Sequence, residues 1–169
     1  QEDVAILRMA DGKANAMSLE FCQALTARIQ EASQAPAVVL TGSGHIFSAG
    51  VDLKRLLDGG APYIREFLPA LSAMFAAVFS HPRPVVAAIN GHAIAGGCVF
   101  AMAADIRLMS AGTIGLTELA VGAMFPMAAI EICRNAMSTS VTQAALGAGT
   151  VDVSAAAALG WVDEVVTDD

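Results

Sequence analysis

The stretch Asn90–Cys98, with the sequence Asn-Gly-His-Ala-Ile-Ala-Gly-Gly-Cys, has residue types suited to holding an anion. It follows the apolar run Pro84–Ile89, which predicts a buried strand, and leads into Cys98–Ala104, whose small apolar residues favour a helix. Glycines at such a turn let the backbone approach another group closely, and the first N–H groups of a helix have no partner within it. Together with the positive end of the helix dipole, these donors would stabilise a developing negative charge. The alternative is a tight turn whose glycines serve packing alone.

Two nucleotide-binding patterns fail at this turn. Gly91 and Gly96 have the spacing of a phosphate-binding P-loop, but Gly97 and Cys98 stand where that loop needs Lys and Ser or Thr. The dinucleotide pattern G-x-G-x-x-G is absent. The three histidines match no metal-binding spacing, and no Ser-His-Asp triad can be assigned to them: His45, His81 and His92. We therefore expect neither a metal site nor a redox cofactor.

Composition narrows the class of protein. The 169 residues are 56% hydrophobic, yet no apolar run reaches the ~18 residues that a membrane span needs. No basic amino-terminal region precedes a short apolar core, so no signal peptide is visible. The net charge of −7 argues against a nucleic-acid partner. Cys22, Cys98 and Cys133 are widely spaced in apolar surroundings and are expected to be reduced core residues. The sequence thus predicts a soluble, cytoplasmic protein that binds neither nucleic acid nor a membrane.

Strand and helix signals alternate along the chain. Strands are predicted over residues 4–9, 37–41, 84–89, 105–109 and 161–166. Helices are predicted over residues 18–33, 63–79, 98–104, 127–134, 139–146 and 155–159, with Ser18 capping the first and Ser154 the last. Residues 46–53 are expected to be ordered but irregular, and Gly59, Gly60 and Pro62 to break the chain before the long helix. This alternation predicts one α/β domain over residues 1–169.

Two motifs in this order resemble the enoyl-CoA hydratase/isomerase (crotonase) superfamily. They are Phe47–Leu53, with the sequence Phe-Ser-Ala-Gly-Val-Asp-Leu, and Asn90–Cys98 with the later Ala104-Asp105. Asn15–Leu19 and Ala158–Val166 are also similar to that family, so the resemblance runs from about residue 4 to residue 166. It implies a spiral of β-β-α turns, in which two roughly perpendicular sheets are flanked by helices.

The resemblance implies that the chain binds an acyl-CoA thioester and stabilises an enolate. Coenzyme A is then part of the substrate, and no separate cofactor is expected. The oxyanion hole would consist of the backbone N–H groups of Val51 and Gly96, and such a donor is worth roughly 2.7–4 kcal/mol. Because the donors belong to the backbone, the side chain at position 51 is free to vary.

The resemblance also implies a path for coenzyme A. The backbone of Ala49 would meet the adenine, and the thioester and pantetheine would run along Ala49, Gly50, Val51, Asp52 and Leu53. Asp52 is expected to hold this loop in shape. The cations expected either at the phosphates of coenzyme A or on the solvated surface are Lys13, Lys54 and Arg55.

The proton-handling residues distinguish the reactions of the family. By resemblance, hydratases have two glutamates, but the first of these positions is Val99 here and the second is Glu118. A single carboxylate suffices to move a double bond, and the segment around Glu118 resembles the mitochondrial Δ3,Δ2-enoyl-CoA isomerase pattern. Apolar neighbours are expected to desolvate Glu118 and raise its pKa, namely Leu116, Leu119, Val121 and Met124. The alternative is a surface glutamate at a helix start.

Other residues are expected to play lesser parts. His92 is predicted to form a pocket wall rather than to act as a catalyst, and Glu131 to lie on a solvated helix face. Four methionines fit either the core or the acyl pocket: Met102, Met109, Met124 and Met127.

The sequence predicts an enzyme that shifts a 3-enoyl-CoA double bond to the 2-position. Hydration of a 2-enoyl-CoA is the alternative reaction, and a non-catalytic protein that binds CoA thioesters or acts as a scaffold is the alternative of another class. The family resemblance also implies a homotrimer or a dimer of trimers. Two departures from the family pattern are a short connection at Ser110–Gly112 and the absence, before Asp169, of the family's helical carboxy-terminal region.

Overall fold

Five parallel strands form the larger of two sheets in the computed structural model, which describes residues 3–167. The strands are β1 (Ala5–Arg8), β2 (Val38–Thr41), β4 (Val85–Ile89), β6 (Ile106–Met109) and β9 (Glu164–Val165), and they lie in the order β1-β2-β4-β6-β9. The central strands β2 and β4 are rich in valine and alternate between buried and half-buried positions, as expected for strands packed inside an α/β domain.

The second sheet contains four short strands. These are β3 (Ile46–Ser48), β5 (His92–Ile94), β7 (Thr113–Gly115) and β8 (Val151–Asp152), in the order β3-β5-β7-β8. The first three are parallel, and β8 pairs antiparallel with β7. Each of β3, β5 and β7 follows a strand of the larger sheet and precedes a helix, so the chain makes successive β-β-α turns. This is the predicted spiral.

Within residues 3–167, six α-helices accompany the sheets. They are α1 (Leu19–Glu31), α2 (Leu53–Phe79), α3 (Gly96–Met102), α4 (Met127–Met137), α5 (Val141–Gly147) and α6 (Val153–Ala158). Every residue of α3 is buried, in agreement with its uniformly apolar composition. Helix α1 packs against α2, and α4 packs against α3. The amino end of α3 is therefore enclosed by other elements.

Helix α2 consists of two helical segments that meet at a kink at Gly60; the sequence predicted the second, over residues 63–79, but not the first, which begins at Leu53. The Asp52 carboxylate accepts a hydrogen bond from the Arg55 N–H at 3.0 Å and caps the helix there. The expected glycine break is real but local, since Gly60 has φ 56° and ψ −155° and the helix continues beyond it. Pro62 is tolerated because it falls in the first turn after this break, where an N–H group has no helical acceptor.

Short elements account for the other corrections. The segment predicted to be irregular contains β3, and the strands β5, β7 and β8 were not predicted. Helix α6 is capped by Asp152, which accepts from the Ala155 N–H at 2.8 Å, and not by Ser154. The final strand is confined to Glu164–Val165. Within the described residues, no helix is both long and apolar enough to cross a membrane.

Candidate active site

The loop between β3 and α2 leaves one backbone donor exposed to a cavity. The Gly50 carbonyl accepts from the Met17 N–H at 2.8 Å, and the Asp52 N–H donates to the Met17 carbonyl at 3.1 Å. Within residues 3–167, the intervening Val51 N–H has no acceptor. Because a trans peptide directs its N–H opposite to its C=O, the Val51 N–H points away from Met17. Val51 itself lines the cavity.

A second backbone donor lies at the start of α3. Ala95, which precedes the helix, has φ 52° and ψ −120° and donates its N–H to the Gly115 carbonyl at 2.8 Å. The first bond of the helix joins the Val99 N–H to the Ala95 carbonyl at 3.1 Å, so the Gly96 N–H finds no acceptor in the described part of the chain. A non-glycine residue in this left-handed region is strained, and such strain is commonly found at functional sites.

The two donor loops are in close contact. A methyl group added at Gly50 would lie 2.8 Å from the Gly96 nitrogen and 2.7 Å from the Ile94 carbonyl oxygen. Gly50 also has φ 81°, a conformation that side chains disfavour. Both reasons require glycine at this position. The arrangement gives two unpaired N–H groups on adjacent segments, which is what an oxyanion hole needs.

Val51, Gly96 and Glu118 line one cavity of about 160 Å³. Ala49 and Leu53 line it too, as predicted for the substrate path. Two further residues of that predicted path, Gly50 and Asp52, do not line it. Their backbone and carboxylate groups are instead occupied in shaping the loop. The rest of the wall is apolar and includes Phe67, Leu71, Phe75, Val99 and Ala129, all at most 2% exposed.

Glu118 opens a short 3-10 helix, Glu118–Val121, that follows β7. Its Oε2 atom is buried and has no hydrogen-bond partner among the described residues. Burial raises the pKa of Glu118, and backbone N–H groups of Glu118 and Thr117 oppose that rise. A raised pKa suits a carboxylate that must accept a proton and later return it.

The four apolar neighbours that were predicted to desolvate Glu118 differ in their own exposure. Of the four apolar neighbours along the chain, only Leu116 is buried, whereas Leu119, Val121 and Met124 are 45%, 60% and 89% exposed. Val121 and Met124 contribute to the cavity wall nonetheless. Elements distant in sequence also supply apolar wall to the cavity that Glu118 lines, through Phe67, Leu71 and Val99.

The buried thiols near Glu118 are not reactive groups. Burial raises the pKa of Cys133 to about 12 and that of Cys98 well above its ordinary value, and the Glu118 charge contributes to both rises. Burial likewise raises the pKa of Cys22 to about 12. All three cysteines are free and protonated core residues. Within residues 3–167, no group of three or more His, Cys, Asp or Glu side chains is arranged to hold a metal ion.

The candidate cations lie outside the cavity. Lys54 is paired with Asp58 at 2.6 Å and Arg55 with Glu20 at 3.0 Å, and all four side chains are at least half exposed. Arg55 borders a separate open groove of about 630 Å³ beside α1, which contains none of the proposed catalytic residues. Lys54 and Arg55 are therefore solvated surface cations, which is the alternative given for them in the sequence analysis.

The remaining candidates divide between core and surface. His92 was predicted to form a pocket wall, but it is exposed, bonded to Thr113 and absent from the cavity. Glu131 is exposed and paired with Arg134 at 2.9 Å, in agreement with the solvated face expected. Met102 and Met109 are core residues, Met124 lines the cavity, and Met127 is 72% exposed.

Three residues of the quoted motifs hold the Val51 loop in place, a role that the sequence did not predict: Asn15, Met17 and Ser48. The cavity wall supplied by α2 was not predicted either. The apolar face of that helix was recognised, and a buried phenylalanine pair on it was the available signal, but periodicity cannot tell a core face from a pocket wall.

Fold and site together define a crotonase-like α/β protein in which two backbone N–H groups without an acceptor among the described residues lie beside an apolar cavity. The sequence profile described as enoyl-CoA hydratase/isomerase matches residues 1–169, and the chain belongs to that family.

Two curated relatives illustrate the match. A putative enoyl-CoA hydratase from Thermus thermophilus is 32% identical over 170 residues, covering 96% of this chain and 67% of the relative. The mitochondrial enoyl-CoA delta isomerase 1 of Rattus norvegicus is 30% identical over 174 residues, covering 98% of this chain. The chain spans 60% of the length of that rat enzyme.

Solved structures agree with the fold. The crystal structure of a probable enoyl-CoA hydratase from Mycobacterium tuberculosis superposes with a TM-score of 0.91 at 35% identity, covering 98% of this chain and 72% of that one. A putative enoyl-CoA hydratase/isomerase (crotonase) from Legionella pneumophila gives 0.90 at 25% identity, covering 100% and 68%. The predicted crotonase fold is thereby confirmed.

Proposed function

We propose that this chain binds an acyl-CoA thioester and moves the double bond of a 3-enoyl-CoA to the 2-position. The observation that carries the proposal concerns the cavity wall. Among the described residues that line the cavity, Glu118 is the only one with an ionisable side chain. The place of a hydratase's other glutamate is taken by Val99, which is 1% exposed.

Substrate binding follows from the shape and chemistry of the cavity. The thioester oxygen is held by the N–H groups of Val51 and Gly96, and the acyl chain lies against the apolar wall formed by α2, α3 and α4. Most small-molecule sites combine such an apolar wall with a few polar groups that fix orientation. The two donors polarise the carbonyl and acidify the protons on the adjacent α-carbon.

The reaction needs one base. The Glu118 carboxylate removes a proton from the α-carbon of the 3-enoyl-CoA, and the electron pair delocalises into a dienolate whose oxygen rests between the two N–H groups. Glu118, now a carboxylic acid, returns the proton to the γ-carbon, which leaves the double bond between the α- and β-carbons. No atom is gained or lost. The raised pKa of Glu118 brings its protonated and ionised forms closer in free energy, and so assists both steps.

Hydration of a 2-enoyl-CoA is the second candidate. It is favoured by the relative from Thermus thermophilus, which is named a putative enoyl-CoA hydratase. Thr117 also lines the cavity beside Glu118, and its hydroxyl group would have to help position the water molecule. With a single carboxylate available, this reaction lacks the paired acid and base that place a water molecule across the double bond.

Parallel assays on a 3-enoyl-CoA and a 2-enoyl-CoA test the proposal. We expect conversion of the 3-enoyl substrate without hydration, and loss of that conversion in Glu118→Gln. Glu131→Gln is the matched control, because Glu131 is an exposed glutamate on α4 outside the cavity. Hydration of the 2-enoyl substrate would instead support the second candidate. Tight binding of either thioester without turnover would indicate a binding protein.

A further inference from the structure

We propose that Ser48 is a positioning residue, whose hydroxyl group orients the Val51 N–H toward the thioester oxygen by holding the preceding residue, Gly50. This inference rests on the proposed function, because it assigns a role within the oxyanion hole. Ser48 does not line the cavity and therefore acts only through the loop that follows it.

The hydroxyl group of Ser48 joins two loops. It accepts a hydrogen bond from the Gly50 N–H at 3.1 Å and donates one to the Asn15 carbonyl at 2.8 Å. Ser48 is 0% exposed, so water does not compete for either bond. Since the single O–H proton is committed to Asn15, a lone pair of the oxygen remains directed at Gly50.

Asn15 is itself fixed. It is 1% exposed, has φ 47°, donates from its side chain to the Phe47 carbonyl at 3.1 Å, and accepts from the Asp11 N–H at 2.8 Å. A non-glycine residue held in the left-handed region by several bonds is strongly constrained. The Asn15 carbonyl is therefore a fixed acceptor for the hydrogen bond that the Ser48 hydroxyl group donates.

The orientation of the Val51 N–H depends on the backbone hydrogen bonds of its loop. The peptide that carries the Val51 N–H also contains the Gly50 carbonyl. Met17 bonds that carbonyl and the Asp52 N–H, and Ser48 bonds the Gly50 N–H, so this peptide is held from both sides. Among the backbone N–H groups of residues 49–52, that of Val51 is the one with no acceptor in the described part of the chain, and it is left for a ligand. Without the Ser48 bond, this peptide keeps only the restraints at Met17, and a change of φ at Gly50 turns the Val51 N–H.

Ser48 also touches the other half of the hole. A methyl group added at Gly97 would lie 2.2 Å from the Ser48 carbonyl oxygen, so α3 begins in direct contact with the Ser48 backbone. Gly97 follows the second donor, Gly96. One buried residue thus sets the position of the first donor and abuts the segment that carries the second.

The test compares Ser48→Ala with Ser140→Ala. Ser140 is the matched control because its hydroxyl group also donates to a carbonyl, that of Met137 at 2.8 Å, and accepts an N–H, that of Trp161 at 2.8 Å, away from the cavity. Both variants lose a hydroxyl group with two bonds, so both are expected to lower Tm. Only Ser48→Ala is expected to lower kcat, on the order of 10- to 100-fold, with little change in KM.

A spectroscopic readout separates orientation of the donor from folding. The full chain is mixed with hexanoyl-CoA labelled with carbon-13 at the thioester carbonyl, and the carbonyl stretch is measured by infrared difference spectroscopy. We expect a shift to lower frequency in the wild-type chain and in Ser140→Ala, and a smaller shift in Ser48→Ala. An unchanged shift and unchanged kcat in Ser48→Ala would overturn the inference.

Two further outcomes are distinct. Binding of hexanoyl-CoA to the wild-type chain with no carbonyl shift would contradict the oxyanion hole itself, and the inference with it. If Ser48→Ala does not fold, Ser48→Cys decides, because a thiol of similar size is a weaker donor and acceptor. A carbonyl shift smaller than that of the wild type would support the role of Ser48, and a full shift would overturn it.

Discussion

Glu118 and Val99 line the same cavity, one as its only described ionisable side chain and the other as part of its buried apolar wall. The two residues come from different elements, since Val99 lies in α3 and Glu118 follows β7. A carboxylate facing an apolar residue has no partner with which to hold a water molecule across a double bond. This pairing is the physical reason to expect proton transfer rather than addition of water.

The substitution Val99→Glu is expected to create hydratase activity on a 2-enoyl-CoA, because it supplies a second carboxylate in the same cavity. Like charges at close range would raise the pKa of Glu118 further. The buried charge would also lower the free energy of unfolding. Hydration is measured by formation of the 3-hydroxyacyl-CoA, and the stability change by denaturant unfolding.

Val99→Gln controls for shape and polarity at that position. It is expected to show no hydration, since an amide cannot act as the second acid or base. Equal hydration by Val99→Gln and Val99→Glu, or none by either variant in a folded protein, would contradict the assigned roles of these positions.

The pH dependence of isomerisation is expected to follow Glu118. Because burial raises its pKa, kcat/KM should fall on the acid side at a pH above the ordinary glutamate value of 4.5. The carboxylate must be ionised to take the first proton, so activity is lost as pH falls through the raised pKa. An acid limb centred at or below the ordinary value would mean that another group, or a solvated Glu118, is the base.

The raised pKa of Glu118 also predicts that the free energy of unfolding depends on pH. Between the ordinary and the raised pKa, the folded chain binds the Glu118 proton more strongly than the unfolded chain does, so the free energy of unfolding decreases as pH rises. Glu118→Gln should remove this contribution and unfold at a higher Tm than the wild type at neutral pH. Glu131→Gln, at an exposed ion pair, should not give that gain. A lower Tm for Glu118→Gln would contradict the burial cost.

Gly50→Ala is expected to abolish most activity, on the order of 100- to 1,000-fold, because the added methyl group would push against the Gly96 nitrogen. Strain at φ 81° should cost about 1–3 kcal/mol of stability as well. Gly44→Ala is the control, since Gly44 has φ 61° but open space around it. That variant should lose stability and keep activity. Equal losses of activity would mean that strain, and not the contact with Gly96, is responsible.

Ala129→Leu is expected to shift preference toward shorter acyl chains. Ala129 is 2% exposed and lines the cavity from α4, so added bulk there reduces a volume of about 160 Å³. Overpacking should cost about 1–3 kcal/mol of stability. Ala156→Leu, at a 0% exposed alanine on α6 outside the cavity, should cost stability alone. The measurement is the ratio of kcat/KM for long and short substrates.

The sequence predicted most of the strands and helices in which a pattern of buried residues repeats over several positions. The valine-rich strands β2 and β4 and the amphipathic α1 appear where expected, because their burial repeats over several residues. The three-residue strands β3, β5 and β7 were missed, since a pattern of period two needs more residues than they contain. They pair with one another in the second sheet, and β3 and β5 also pack against α3.

The start of α2 shows a different limit. Asp52 is a good helix cap, but the glycine pair that follows suggested a loop. The glycine preference does appear, as the kink at Gly60, but a short helical segment still forms between Asp52 and that kink. The longer segment beyond it is tied to the start of α1, because the Tyr63 hydroxyl group accepts the Leu19 N–H at 2.8 Å. For the site, spacing and resemblance located Val51, Gly96 and Glu118. Ser48 and Asn15 lie within quoted motifs, but the hydrogen bond between them depends on three-dimensional proximity, which the spacing of the motifs does not show.

Proton NMR of the isomerisation of a 3-enoyl-CoA in deuterium oxide tests directly whether Glu118 moves the proton. This spectrum reports the position of the double bond, any hydration and the origin of the new γ-proton together. We expect a 2-enoyl-CoA product. Part of it should keep, at the γ-carbon, the proton taken from the α-carbon, because Glu118 is largely screened from water. Formation of a 3-hydroxyacyl-CoA, or undiminished isomerisation by Glu118→Gln, would contradict this mechanism.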